Sequence, residues 1–324
     1  MTRSPAERLG SNFFNDIPFP VMPPRHLVDL ADLTPAEIRS IIARATELKT
    51  RRAKGDKPQI FQHKVLAMIF EKSSTRTRVS FESAMIEGGG GAIFLSPKDS
   101  QLGRGEPVED TARVLSEMCD AIMVRTFAHD VVQRLAAAAR VPVINGLTDR
   151  SHPCQLLADM ETFFERRGDI RGRKVAWVGD GNNMCNTYIE AAALLEFELA
   201  VATPAGFEPT LLRGGACPPG VHLCREPADA VTGADLVVTD VWVSMGQEDE
   251  AAARRVVFAP YQVTTDLMSR AAPGALFMHC LPAHRGEEVA AAVIDAPDSV
   301  VWEEAGNRLH AQKALLEYLF SRSN

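Results

Sequence analysis

Val65-Leu66-Ala67-Met68-Ile69-Phe70, followed closely by Ser74-Thr75-Arg76-Thr77-Arg78, is the stretch on which the fold turns. An apolar run with no polar alternation reads as a strand buried on both faces, the mark of a parallel sheet. The next segment, Thr75 to Glu87, reads as a helix that Gly88-Gly89-Gly90-Gly91 ends. Hydroxyls and an arginine therefore sit on a helix N-terminus at the carboxyl end of a strand. Free backbone N–H groups and the positive end of the helix dipole gather there, so the place binds anions. It is a phosphate site with neither a glycine-rich loop nor the lysine of a P-loop.

Outward from this unit, strands and helices alternate. Leu33 to Arg51 is an amphipathic helix with Thr34 as N-cap, Pro35 in first position and Glu37 completing a capping box. Strands are predicted at Val65–Phe70, Ala92–Leu95, Ala121–Arg125 and Pro142–Asn145. Helices are predicted between them at Thr75–Glu87, Pro107–Met118 and Val131–Ala139. Pro153 to Arg167 is a long helix with His152 as its N-cap, and the domain boundary runs along it. A second series follows, with strands at Lys174–Val178, Glu198–Ala202, Asp235–Thr239 and Leu276–Cys280 and a last helix at Asn307–Phe320. The fold class is α/β: two doubly wound parallel-sheet domains with a cleft between them.

A chain of 324 residues is long for one compact core, which agrees with two domains. Its 46% hydrophobic and 24% charged residues are ordinary for a soluble enzyme. The formal charge of −7 argues against nucleic acid as a partner. An anionic ligand would have to be held by local arginines, and Arg76, Arg104, Arg125 and Arg308 are the candidates. The six cysteines form no C-x-x-C pair and no Cys/His cluster of zinc spacing, so no metal is expected and reduced thiols in the cytosol are. No apolar stretch approaches the ~18 residues of a membrane span. Met1 to Pro24 is polar, carries several prolines and lacks a signal peptide's apolar centre, so it is expected to be an extension ahead of the core.

Ligands of open α/β sheets bind outside the carboxyl ends of the strands. Arg125, Asn182-Asn183, Asp240 and Cys280 all fall at such ends. One alone could be a structural salt bridge or a buried thiol; several at equivalent ends in both halves fit a shared cleft. His152 and Gln155, three apart at a helix start, share one face and could address a carbonyl oxygen and an amide nitrogen. The dipole's positive end favours a neutral His152 that donates one N–H. Gly179-Asp180-Gly181-Asn182-Asn183-Met184 holds two glycines of a dinucleotide fingerprint, but Met184 replaces the third and no acid ends the next strand. A nicotinamide cofactor is therefore not expected, nor is any other. Asn182 and Asn183 instead offer amides to a polar ligand. Asp240-Val241-Trp242-Val243-Ser244-Met245-Gly246 reads either as a surface loop or as a lid in which Asp240 holds an amino group. No nucleophile elbow or Ser-His-Asp set is present, which favours direct transfer over a covalent intermediate.

Ser74-Thr75-Arg76-Thr77-Arg78, Arg125 and His152-Pro153-Cys154-Gln155 resemble the carbamoyl-phosphate signature of aspartate and ornithine carbamoyltransferases. Asp240-Val241-Trp242-Val243-Ser244-Met245-Gly246, His279-Cys280-Leu281-Pro282 and Glu304-Ala305-Gly306-Asn307-Arg308 are similar to the ornithine branch. The resemblance runs from about Pro24 to the C-terminus. It implies residues 25–155 as the carbamoyl-phosphate domain, joined by a C-terminal helix (306–324) that packs back on it. Residues 156–305 become the ornithine domain, and 1–24 the extension. It implies carbamoyl transfer to the δ-amine of L-ornithine, giving citrulline and phosphate, in a homotrimer with shared active sites. Carbamoyl phosphate would be held by Ser74, Thr75, Arg76, Thr77, Arg125, His152, Gln155, Cys280, Leu281 and Arg308, and by Gln101 reaching into a neighbour. Asn183, Asp240, Ser244 and Met245 would hold ornithine. Arg125, His152 and Cys280 would be catalytic, the last as a thiolate base. Another amine as acceptor, or a catalytically silent relative, are the alternatives.

Overall fold

The computed structural model describes residues 23–96, 105–213 and 217–322. Gln101 and Arg104 lie outside the described residues, as does most of the N-terminal extension.

The first half runs α1 (Pro35–Ala53), β1 (Val65–Phe70), α2 (Thr75–Glu87), β2 (Gly91–Leu95), α3 (Val108–Ser116), β3 (Ala121–Arg125), α4 (His129–Ala138) and β4 (Val143–Leu147). Its four strands pair in parallel in the order β2-β1-β3-β4. β1 shows why its sequence is apolar throughout. Leu66, Met68 and Phe70 enter the core on one face, Ala67 and Ile69 that on the other. The free edge of β4 is covered by the chain near Leu27, whose N–H donates to the Val143 carbonyl at 2.9 Å.

The second half begins with α5 (Pro153–Arg167) and continues β5 (Lys174–Val178), α6 (Asn183–Leu195), β6 (Glu198–Ala202), β7 (Val221–Cys224), α7 (Pro227–Val231), β8 (Leu236–Thr239), α8 (Ala251–Phe258), α9 (Thr265–Met268), β9 (Leu276–His279), α10 (Ala291–Ile294) and α11 (Val301–Ser321). Five parallel strands lie in the order β7-β6-β5-β8-β9. β7 is not predicted from the sequence. It is four residues long, on a sheet edge and largely exposed, so it lacks the apolar run that marks the inner strands.

Two helices tie the halves together. α5 is buried at every position from Pro153 to Phe163, a helix enclosed on all sides rather than an amphipathic surface helix. α11 packs on α5, α1 and α2, so the C-terminal helix returns to the first domain. It begins at Val301, not Asn307, because Gly306 is accommodated inside the helix instead of ending it. The longer helix puts Glu304 and Arg308 four apart on one face. Residues of both sheets, with α5 and α11, share one contiguous core.

Candidate functional site

A cleft of about 1380 Å³ opens where the carboxyl ends of both sheets face each other. Small-ligand pockets span roughly 300–1,000 Å³, so it has room for two small substrates. Ser74, Thr75, Arg76, Thr77, Arg125, His152, Gln155, Asn183, Asp240, Ser244, Met245, Cys280, Leu281 and Arg308 all line it. Every proposed site residue within the described chain is thus gathered in one place.

The first wall is built on rigid element ends. Ser74 N-caps α2, and its hydroxyl accepts the Thr77 N–H at 3.2 Å. That N–H is therefore engaged by the cap rather than free for a ligand. Arg125 is aimed by an irregularity of the sheet: β3 and β4 change register between Val124 and Arg125, so Gly146 is passed over. A Cβ there would come within 2.5 Å of the Met123 sulfur, so a larger residue would have to push that buried side chain aside. The Arg125 Nη1 donates to the Thr77 hydroxyl at 3.4 Å, and its Nε is buried without a partner. Arg308 donates to the same hydroxyl at 3.1 Å. Burial, then the neighbouring Arg308, pulls Arg125 down to about 10, so it remains a cation at neutral pH. The crowding of guanidinium groups about one hydroxyl makes a strong anion site.

His152 is neutral, and for a different main reason than the helix dipole. Burial lowers its pKa well below the usual value, with Arg308, Arg125 and Arg76 adding to the effect. Its Nδ1 is buried and unpartnered. Gln155 is held at both ends of its amide: its Nε2 donates to Asp159 at 2.8 Å and Glu304 at 3.0 Å, and its Oε1 accepts from Arg308 at 2.6 Å.

The opposite wall carries a carboxylate and a thiol. The Cys280 thiol donates to Asp240 Oδ1 at 3.2 Å. Burial, and then Asp240, push that thiol well above its ordinary pKa. Burial and the nearby carboxylates thus favour the thiol in the folded chain, where the resemblance implied a thiolate. Asp240 Oδ2 accepts from Asn182 at 2.7 Å. Asn182 also caps α6 through its side-chain oxygen, to the N–H groups of Met184 and Cys185. Asn183 donates to the Thr148 carbonyl at 2.7 Å. The sequence offers both amides to a ligand; in the folded chain both are bonded to the protein, and Asn182 orients Asp240. Gly181 serves packing, not phosphate: a Cβ there would lie 2.3 Å from the Pro209 nitrogen.

Leu281 joins the walls. Its φ of 58° is left-handed, which costs a leucine on the order of 1–3 kcal/mol. Its carbonyl accepts from the Arg76 Nη2 at 2.5 Å. Asp240, His279 and Cys280 have ligand atoms close enough for a metal ion. Both His279 ring nitrogens are engaged, however: one lies 3.0 Å from Glu288, the other accepts the Leu281 N–H at 2.9 Å.

Several contributors escape the sequence reading. Lys72, buried, donates to Asp149 Oδ1 at 2.5 Å and lies 4.1 Å from the centre of the Phe127 ring. Arg254 of α8 donates to Asp180 at 2.5 Å and to the Trp242 carbonyl at 2.5 Å, packed against the rings of Phe207 and Phe258. This buried clamp ties the end of β5 to the loop after β8. Asp180 could have been suspected, as an acid immediately after a buried strand; Arg254 offers no local signal.

Fold and site define a class: a two-domain α/β transferase with a phosphate-type anion site on one wall and a carboxylate–thiol pair on the other. The family model described as "Aspartate/ornithine carbamoyltransferase, carbamoyl-P binding domain" matches residues 25–165, and the companion "Asp/Orn binding domain" matches residues 171–319. An ornithine carbamoyltransferase of Methylococcus capsulatus is 61% identical over 300 residues, covering 93% of this chain and 100% of that protein. An anabolic ornithine carbamoyltransferase of Pseudomonas aeruginosa is 56% identical over 300 residues, covering 93% of this chain and 98% of that one. The crystal structure of the Burkholderia thailandensis ornithine carbamoyltransferase superposes with a TM-score of 0.85 at 50% identity, covering 91% of this chain and 98% of that one. The chain belongs to the aspartate/ornithine carbamoyltransferase family.

Proposed function

We propose that the protein transfers the carbamoyl group of carbamoyl phosphate to the δ-amine of L-ornithine, releasing citrulline and phosphate. The observation that carries this is Arg125. It is a buried cation with unpartnered donor capacity, set beside Arg76, Arg308 and neutral His152 and facing Asp240 and Cys280 across one cleft.

The α2 N-terminus with Arg76 and Arg125 would hold the phosphate dianion. Arg125 and His152 would polarise the carbamoyl oxygen, where negative charge grows as the amine attacks; preplaced donors help most there. Phosphate then leaves with the electrons of the C–O bond. Arg308 and the Leu281 carbonyl would complete the carbamoyl pocket. Asn183, Asp240, Ser244 and Met245 would hold the α-amino and α-carboxylate groups and direct the δ-nitrogen to the carbon.

The nucleophile must be a free amine. An ammonium with a lysine-like pKa of about 10.4 costs roughly 4–5 kcal/mol to deprotonate at neutral pH. Cys280 with Asp240 would take that proton. Burial and Asp240 favour the thiol, and the two ammonium groups of ornithine beside it would shift it toward thiolate.

The family architecture supports a homotrimer in which Gln101 reaches a neighbour's substrate. Val79 and Ile86, seven apart on α2, and Ile93 on β2 are large apolar residues left exposed in the single chain, as an assembly face requires. We assign residues 25–155 with 306–324 to the carbamoyl-phosphate half and 156–305 to the ornithine half. Among the described residues, no helix is long and apolar enough to cross a membrane. We place the enzyme in the cytoplasm, in arginine biosynthesis. Citrulline formation from carbamoyl phosphate, compared across ornithine, putrescine, N-acetylornithine and aspartate, tests the reading. Equal or better turnover of another amine would sink it.

A further inference from the structure

Beneath the cleft, two acidic side chains meet where α5 and α11 cross. Asp159 and Glu304 are each 1% exposed. A single nitrogen, Nε2 of Gln155, donates to both, at 2.8 Å to Asp159 Oδ1 and 3.0 Å to Glu304 Oε1. Tyr188 of α6 donates its hydroxyl to Asp159 Oδ2 at 2.9 Å. The His279 N–H donates to Glu304 Oε2 at 2.9 Å. Arg308, one turn along α11 from Glu304, is the nearby cation, and the Cys280 thiol of the facing strand end lies close by.

We propose that Asp159 and Glu304 form a positioning pair that shares one proton and fixes Gln155 with its carbonyl turned to the carbamoyl end of the cleft. The inference rests on the carbamoyl-transfer reading given above. Two carboxylates this close and this dry do not both ionise. One negative charge suffices to balance Arg308. Asp159 accepts from donors on both its oxygens, which suits a carboxylate. Glu304 likewise accepts on both oxygens, from the His279 N–H on Oε2 and from Gln155 on Oε1, so the proton is shared between Glu304 Oε1 and Asp159 Oδ1, the two oxygens that meet at one Gln155 nitrogen. Burial raises both groups, Asp159 to about 6 and Glu304 well above its usual value.

The consequence falls on Gln155. Its amide N–H groups point away from the cleft, into the acidic pair. Its oxygen accepts from Arg308 and keeps a second lone pair for the N–H of a carbamoyl group. The same Glu304 touches the backbone at His279, beside Cys280, so one side chain braces both walls.

Three variants test this in the full-length enzyme. Glu304→Gln and Asp159→Asn each leave one carboxylate to balance Arg308, and each is expected to keep kcat/KM for carbamoyl phosphate within about tenfold. The double variant removes the charge, and the loss of a charged hydrogen bond predicts a further fall of roughly 10- to 100-fold. The ornithine KM should stay within about twofold in all three, which a general loss of structure would not allow. A single variant as impaired as the double, or a double variant no worse than either single one, overturns the proposal. Infrared difference spectra give a readout without turnover. The band of a buried protonated carboxyl, present in the wild type, should vanish in both single variants, because the acid that remains ionises beside Arg308. A band that survives either substitution, or a wild type without one, also overturns it. If the wild type forms no citrulline, the functional reading fails while the spectra still decide whether the pair holds a proton.

Discussion

The two walls of the cleft hold charged ligands by opposite means. The carbamoyl-phosphate wall is made of element ends: the start of α2, the end of β3 at a register shift, and the face of a helix buried from Pro153 to Phe163. Its cations are enclosed and placed before any ligand arrives. The ornithine wall depends on the loop from Asp240 to Gly246, where the Met245 side chain is 47% exposed. That loop is held chiefly from below, by Arg254 reaching Trp242 and Asp180. A phosphate dianion calls for preorganised charge; a flexible amino acid calls for a wall that closes around it.

Breaking the rigid wall should cost most. Arg125→Ala removes a preplaced donor to the developing oxyanion and should lower kcat by ~10²–10³-fold or more with the fold intact. Near-normal turnover would show that the first wall only binds. Cys280→Ser probes the junction of the walls. A serine hydroxyl is a far weaker acid than a thiol, so the kcat/KM profile for ornithine should move to higher pH and fall about 10-fold or more at neutral pH. An unmoved profile removes Cys280 as proton acceptor. Arg254→Gln unties the adaptable wall and should raise the ornithine KM roughly 10-fold, with the carbamoyl-phosphate KM within about twofold, because only the loop loses its anchor. Parallel changes in both constants would mean that the walls are not independent.

The smallest kinetic effect is expected at Glu161 on α5, behind both walls. Among the described residues, its two carboxylate oxygens are buried without partners. Burial, then Glu165, lifts its pKa to about 9. The folded protein keeps this group protonated while the unfolded chain releases the proton above about pH 4.5. Stability is therefore lost as pH rises from about 4.5 to 9. Glu161→Gln should raise the thermal midpoint at pH 8, by on the order of a few kcal/mol in stability, and change little at pH 4. Kinetic constants should not move. A midpoint gain equal at both pH values would assign the effect to packing instead.

Legibility in the sequence follows the same division. β1, β3, β5, β8 and β9 announce themselves because a strand covered on both faces must be apolar throughout. β7 does not, since two of its four residues are exposed and it needs no apolar run. The α2 N-terminus could be read as an anion site because its chemistry is local to five residues. The start of α11 was misplaced, because whether Gly306 ends a helix depends on what packs around it. Thiolate character at Cys280 could not be judged, since it depends on Asp240, forty residues away and 3.2 Å distant in space.

Sequence by itself determined the two parallel α/β halves, the phosphate-type grip of Ser74 to Arg78, and which residues end the strands at the cleft. These follow from periodicity and from helix-terminus electrostatics, which act over a few residues. Tertiary structure alone decided the protonation of Cys280 and His152, the pairing of Arg254 with Asp180, and the meeting of Asp159 with Glu304. Burial and the field of neighbouring charges set those, and both arise only when segments far apart in the chain are packed together.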